Sequence, residues 1–387
     1  MSGVSDAERL ARVALSRVVE PGSNDVYEQL RRFSATEVWE GIRRGAPIGQ
    51  LGQQALAGIA TRVQGYAPER DLQRLADVGA RAVCPGDDEW PEGLGWQARD
   101  MKGDVKTMSP PWVLFVRGPQ DVRTVCRPSV AVVGARAASA YGAHVAGELA
   151  FGLAEAGVAV VSGGAYGIDA AAHRGALAAQ SAPTVAVLAC GVDISYPRGH
   201  DRLLSQVASE GLIVSEVPPG SSPTRLRFLV RNRVIAALSR GTVVVEAARR
   251  SGSLSTAGRA VDLNRQVMAV PGPITSAQSE GCHDLIRNGK ATLITGVPDV
   301  LELVGQIGEH LAPLLTGASR ARDGLDETVL RVLDAVPVRT AVGVARLAKT
   351  AGVSALVVQQ VLPPLLVAGL VEQRDGGWRL TALGAGP

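Results

Sequence analysis

Two hydrophobic rhythms divide the chain. In DAERLARVALSRVVE and again in NDVYEQLRRFSATEVWEGIRRG, apolar residues recur every three to four positions. That spacing gathers them on one face of a helix. Pro21 and Gly22 part the first two segments, and Asn24 and Ser34 are suitable N-caps. A small helical module over residues 1–75 is predicted.

Beyond it the rhythm changes. RAVCPGDDEWPEGL reads as a short strand and a Pro/Gly-rich turn, and WVLFVRG (Trp112–Gly118) as a strong strand. From Ser129 the runs SVAVVG, VAVVSGG, TVAVLACG, LIVSEVPPG, GTVVVEAA, QVMAVPG and ATLITG succeed one another, mostly with a helical segment between. Unbroken Val/Ile/Ala/Leu runs describe strands covered on both faces. Their alternation with helices describes a doubly wound, Rossmann-like α/β fold with a mostly parallel sheet and right-handed crossovers. This block ends near Val304.

A linker follows, GEHLAPLLTGASRARDG. Then DETVLRVLDAV, VARLAKTAG and SALVVQQVLPPLLVAGL read as three helices, and LVEQRDGGWRL as a hairpin turning at Asp375, Gly376 and Gly377. Pro363 and Pro364 are expected to break the third helix. Three helices and a hairpin suggest a winged helix. The expected layout is thus a helical module (1–75), an α/β domain (76–305), a linker (306–324) and a winged-helix domain (325–387).

Composition narrows the class. The chain has 387 residues, is 46% hydrophobic and carries a net charge of only +3. Its apolar runs are too short and interrupted to span a bilayer, and MSGVSDAERLARVAL has no apolar core of a signal peptide. The four cysteines lie far apart, with no zinc-type spacing, so no metal is expected. Buried thiols in a reducing cytoplasm are the simple reading. Charge is informative only locally. Between Pro223 and Arg250 stand Arg225, Arg227, Arg231, Arg233, Arg240, Arg249 and Arg250, with Glu246 as the one acid.

In an open parallel sheet, ligands meet the loops at the carboxyl ends of the strands. Those loops are GARAAS (134–139), SGGAYGID (162–169), CGVDISYP (190–197), SEVPPGSSPT (215–224), EAARRSGSLSTAG (246–258) and PGPITSAQSEG (271–281). Small residues let backbone N–H groups approach a ligand, and helix N-termini favour anions. Arg136 stands in the first loop and Arg249 and Arg250 in the fifth, while Arg231 and Arg233 follow the fourth. Several neighbouring anion-binding points suit a polyanion better than one small phosphate. GARAAS is not GxGxxG, and GxxxxGK[ST] is absent, so neither a dinucleotide nor a Walker-type cofactor is indicated. Asp169 and His173 could be catalytic, but no nucleophile stands by them; bracing the loop is the alternative. Tyr166 and Phe228 could stack on bases or simply pack.

VAVVGARAAS, SGGAYGIDAAAHRGAL, AVLACGVDISYP, LIVSEVPPG, RFLVRNRVIAALS, VVVEAARRSGSLSTA, MAVPGP and SEGCHDLIRNG occur in one order along most of the chain. In these the chain resembles the DNA processing protein family, DprA or Smf, of natural transformation. The resemblance implies an extended Rossmann fold, a SAM-like helical N-terminal module and, as in many members, a C-terminal winged helix. It implies a cytoplasmic homodimer, not an enzyme, that needs no cofactor, binds and protects single-stranded DNA and loads the RecA recombinase onto it. It places the strand-binding groove at Gly134, Arg136, Ser139, Ser162, Gly163, Gly164, Gly167, Arg231, Asn232, Arg233, Ser251 and Ser253. Asp169 and His173 become structural braces. Two motifs depart from the family. Phe228, Leu229 and Val230 replace the usual Phe-Pro before Arg-Asn-Arg, and His283 and Gly289-Lys290 alter the last motif.

Two other functions fit parts of the sequence. A LOG-type phosphoribohydrolase shares the fold, but its PGGxGTxxE signature would fall on SGSLSTAG, which lacks the glutamate in register. A winged-helix transcription regulator would read duplex DNA. Yet Ser354–Leu370, its expected recognition helix, contains no Lys or Arg.

Overall fold

In a computed structural model that describes residues 3–49, 53–94, 108–305, 322 and 324–385, the N-terminal periodicity becomes five helices. They are α1 (Asp6–Val18), α2 (Asn24–Leu30), α3 (Ala35–Arg44), α4 (Gln53–Val63) and α5 (Glu69–Asp77). Ser34 caps α3 in a reciprocal box with Glu37, which satisfies two otherwise orphaned backbone donors. Asn24 is not a cap. Ser23 takes that position, without a side-chain bond, and Asn24 is the first helical residue.

The strands are β1 (Ala80–Val83), β2 (Leu114–Arg117), β3 (Ser129–Val133), β4 (Ala159–Ser162), β5 (Thr184–Leu188), β6 (Leu212–Ser215), β7 (Gly241–Val244), β8 (Gln266–Ala269) and β9 (Thr292–Leu293). They form one sheet in the order β1-β2-β6-β5-β4-β3-β7-β8-β9. From β6 to β9 every pairing is parallel, while β2 joins β6, and β1 joins β2, antiparallel. Helices α6 (Val122–Cys126), α7 (Ala140–Glu155), α8 (Ile168–Ala179), α9 (Asp201–Glu210), α10 (Arg225–Leu238), α11 (Ser253–Asp262), α12 (Glu280–Arg287) and α13 (Val297–Val304) connect them.

Each central strand packs on both faces, as its unbroken apolar run demands. Ala131 and Val133 face Val234, Ala237 and Ala257 of α10 and α11. Val130 and Val132 face Ala146, Leu149 and Ala172 of α7 and α8. Burying a valine this fully contributes about 1.5–3 kcal/mol relative to exposure. The helical module packs on the sheet in a separate cluster, where Leu15, Val38 and Leu75 meet Phe115 and Ile213 of β2 and β6. Arg17 completes the junction. It pairs with Asp71 at 2.6 Å and donates to the Pro219 carbonyl at 2.5 Å and the Ser221 hydroxyl at 3.0 Å. Arg227 pairs with Glu20 at 2.9 Å. The module therefore holds the loop before α10.

The chain divides into two compact units, Met1–Ala312 and Pro313–Pro387. The helical module thus shares a unit with the sheet. The expected linker lies outside the described residues, except Arg322 and Gly324. The second unit comprises α14 (Glu327–Ala335), α15 (Val344–Ala351), α16 (Ala355–Val367), the hairpin β10 (Val371–Arg374) and β11 (Gly377–Leu380), and α17 (Ala382–Ala385). Its two-residue turn has positive φ at Asp375 (51°) and Gly376 (73°), the backbone a tight hairpin needs. Pro363 and Pro364 do not break α16, which continues to Val367. The carbonyls they leave without a helical donor belong to Gln359 and Gln360, which are exposed to water along with both prolines. Val358, Leu362 and Leu365 meanwhile stay buried in the unit's core. Among the described residues, no single helix is long and apolar enough to cross a membrane.

Candidate functional site

The strand order reverses at β3, which has β4 on one side and β7 on the other. Loops leaving β3 and β7 diverge there and open a crevice at the carboxyl ends of the strands. The crevice is a cleft of about 840 Å³. It is lined by Gly134 to Ala137 after β3, by Ala165 and Asp169 after β4, by Arg225, Phe228, Arg231, Asn232 and Ile235 of α10, and by Ala248 and Arg250 to Ser253 after β7. Tyr196, Thr224 and Gln278 line it as well.

Arg136 is exposed in this cleft. Its guanidinium carbon lies 4.9 Å from the centroid of the Phe228 ring, and Tyr196 tilts against the same ring at 5.6 Å. The result is a cation–aromatic stack along one wall. Arg225 and Arg250 line the same cleft. Among the described residues, Arg136, Arg225 and Arg250 have no carboxylate within 4.0 Å. The other arginines of the 223–250 cluster are engaged. Arg227 pairs with Glu20, Arg233 with Glu216, and Arg249 with Glu280 and Asp284, while Arg240 donates to the Val304 carbonyl.

In the same cleft, Ser251 and Ser253 share a hydroxyl–hydroxyl bond of 2.7 Å at the start of α11. Asn232 donates to the Gly252 carbonyl at 3.2 Å, which ties α10 to that helix end. Arg231 borders the cleft from below. It is buried, donates to the Val187 carbonyl at 2.8 Å, and faces Asp169. Burial pushes the Arg231 pKa down and the Asp169 carboxyl up, and the charge of each partner opposes the shift of the other.

The SGGAYGID loop is satisfied from within. Asp169 accepts the Gly163 and Ala165 N–H groups at 3.2 and 3.3 Å, so amides expected to meet an external anion already hold a carboxylate. A Cβ at Gly163 would lie 1.8 Å from the Arg231 guanidinium, which would have to shift to admit it. Gly167, at φ 78°, passes the first loop so closely that a Cβ would meet the Ala135 and Arg136 carbonyls at 2.2 and 2.5 Å. The Ser162 hydroxyl is buried and donates to the Val132 carbonyl at 2.7 Å. The Gly164 carbonyl accepts from His200 Nδ1–H at 3.0 Å, and Tyr166, half exposed, rests edge-on against that imidazole. Ser139 caps α7 and donates its hydroxyl proton to Glu246 at 2.5 Å.

Of the residues expected at the groove, the structure thus brings Gly134, Arg136, Phe228, Arg231, Asn232, Ser251 and Ser253 together, with Asp169 beside them. Ser139, Ser162, Gly163, Gly164, Tyr166 and Gly167 do not line the cleft. Arg233 is corrected outright: it is buried in the core, two helical positions past Arg231, with its guanidinium on Glu216 at 2.7 Å. Residue spacing could have shown that Arg231 and Arg233 do not share a face, because positions two apart on a helix point to different sides, but not which of them faces the core. Tyr196, Thr224 and Gln278 were missed; they lie in loops with no periodicity to aim them. Arg250 was placed in the fifth loop, whereas Arg225 was visible only as a member of the cluster.

His173 sits deep behind the loop. Thr184 gives its hydroxyl proton to the Val160 carbonyl, so the hydroxyl must accept from His173 Nδ1–H, at 2.8 Å. Burial, aided by the charges of His200, Arg231 and Arg174, pushes the imidazole from 6.5 down to about 3. A neutral buried imidazole binds fewer protons than the unfolded one between these values, so stability is lost as pH falls through that window. From pH 7.5 to 5 the loss is about 1.36 × 1.5, or roughly 2 kcal/mol. Urea unfolding at both pH values checks it, and His173→Gln should flatten the difference by that amount.

The family model for DNA recombination-mediator protein A matches residues 81–305. The chain is 46% identical over 382 residues to the DNA processing protein DprA of Mycobacterium tuberculosis, covering 96% of this chain and 94% of that one. The X-ray structure of DNA processing protein A from Streptococcus pneumoniae superposes with a TM-score of 0.60 and 30% identity, over 79% of this chain and 99% of that one. DNA processing protein A from Helicobacter pylori, whose structure describes a single-stranded DNA binding mode, matches at a TM-score of 0.49 and 27% identity, over 58% of this chain and 94% of that one. A sheet with its cleft at the strand-order reversal, a family model matched over residues 81–305, and a relative 46% identical over 96% of the chain lead to one conclusion: this chain belongs to the DNA recombination-mediator protein A family.

Proposed function

We propose that the cleft binds the backbone of single-stranded DNA without strong sequence preference. The observation that carries this reading is the set Arg136, Arg225 and Arg250, three cleft arginines without a carboxylate partner among the described residues, beside the Phe228–Tyr196 stack. Guanidinium groups neutralise phosphates, and aromatic faces accept any base. With the family, this supports a cytoplasmic, homodimeric recombination mediator that protects incoming strands and loads RecA onto them, as a binding protein and not an enzyme. The buried engagements of Asp169 and His173 speak for bracing over catalysis. In the same reading α1–α5 form the SAM-like module.

The second unit has the make-up of a winged helix. Its α16 carries no basic side chain from Ala355 to Val367, so it lacks what a duplex reader needs in the major groove. An accessory or protein-contact role suits it better.

Gel shifts at matched salt test the reading: single strands of any sequence should bind more tightly than duplex. Equal or better affinity for duplex overturns it. A chain truncated after Val304 should keep its single-strand affinity within tenfold, about 1.4 kcal/mol. A larger loss from the folded truncation would move part of the binding site to the second unit.

A further inference from the structure

Glu246 is the one acid in the arginine-rich span, and it lies next to a site that needs positive charge. The structure gives it a definite task. It is 2% exposed, two residues past β7. Its backbone carbonyl accepts the Ala135 N–H at 2.7 Å. One carboxylate oxygen accepts the Ser139 N–H at 2.9 Å and the other the Ser139 hydroxyl at 2.5 Å. Ser139 in turn accepts the Gly142 N–H at 3.0 Å. Gly142 has no room for a side chain, because a Cβ would lie 2.2 Å from the carboxylate. One residue therefore grips the first loop at both ends, and Arg136 stands between the two grips.

The start of α7 is where a doubly wound fold offers its first anion site. Here the fold's own carboxylate fills it. We propose that Glu246 is a positioning residue: an internal anion that closes the 135–139 loop, holds Arg136 over Phe228 at the cleft, and leaves DNA phosphate to the arginines instead of the α7 helix end. This rests on the strand-binding reading of the cleft.

The test uses the full chain with Glu246→Ala, Glu246→Gln, Arg136→Ala and the double variant Glu246→Ala/Arg136→Ala. Circular dichroism establishes folding. Two readouts follow: amide hydrogen exchange at Ser139 and Gly142, which needs no DNA, and affinity for an oligothymidylate. Glu246→Ala should speed exchange at both amides and weaken binding about tenfold. Glu246→Gln keeps an acceptor for the Ser139 N–H and should restore most of both. Because the residue acts through Arg136, the double variant should bind no more weakly than Arg136→Ala alone. Additive losses, unchanged exchange in Glu246→Ala, or failure of Glu246→Gln to rescue would overturn the proposal. Should the unaltered protein fail to bind the oligonucleotide, the strand-binding reading falls, and the exchange data still decide whether Glu246 holds the loop. If Glu246→Ala does not fold, the comparison of Glu246→Gln with the unaltered protein carries the test: protected amides and near-normal affinity support it, and exposed amides overturn it.

Discussion

Replacing Arg136, Arg225 and Arg250 together by alanine is expected to abolish most single-strand binding while leaving the fold intact. All three line the cleft, and none has a carboxylate partner within 4.0 Å among the described residues. Their removal therefore strands no buried charge. Each phosphate neutralised on a single strand contributes about 0.7 to the slope of log K against log salt. Three such contacts amount to a slope change of roughly 2, and at 0.1 M salt to about a hundredfold in affinity. Fluorescence anisotropy across a salt series checks both numbers. The loss should be alike for all sequences, since backbone contacts carry no base code. A folded triple variant with an unchanged slope would remove these arginines from the site.

The second large effect concerns an arginine from the same stretch of sequence. Arg233→Met is expected to destabilise the protein by about 3–5 kcal/mol. Arg233 places one guanidinium nitrogen 2.7 Å from both oxygens of Glu216, and both residues are buried. Without it, Glu216 is a buried anion with its principal cation gone. Burial already pushes the Glu216 carboxyl up, and Arg233 is what opposes that shift. In the variant the folded protein should take up a proton at this carboxyl more readily than the unfolded chain does. The deficit should therefore be smallest in acid and grow as pH rises. Glu216→Met added to Arg233→Met should recover much of the loss, because a buried pair replaced by apolar groups of similar volume is often neutral. Urea unfolding measures these changes. Single-strand affinity of the folded Arg233→Met protein should be unchanged, in contrast to the triple variant.

That contrast marks how far the sequence could be read. The strands from Ser129 onward were legible because each is a continuous apolar run, and a buried parallel strand leaves that trace. The cleft was legible as a set of loops, since small residues cluster there. Which arginine enters it was not. Arg231, Arg233 and Arg225 look alike in a list of charges, and only the rotation of α10 sorts them between the cleft and the core. The prolines of α16 misled for a related reason. Their cost depends on whether the freed carbonyls meet water, and exposure is a property of the assembled unit. Glu246 shows the same limit from the other side: in the sequence it is only the one acid among the arginines, and its hold on Ser139 is seen only once the loops are assembled.

The strand order also sets a timetable for synthesis. Phe115 of β2 pairs with Ser215 of β6, one hundred residues later in the chain. At about 5–20 residues per second, the ribosome needs roughly 5–20 s to deliver that partner. Until then β1 and β2 have each other but no sheet to join. The apolar side chains of Leu114, Phe115 and Val116, all fully buried in the finished protein, must wait in the open. The loops of the cleft wait longer still, because β3 and β7 pair Val130 with Gly241. A nascent chain shorter than about 215 residues thus leaves these side chains uncovered, and the cleft is among the last parts of the first unit to form.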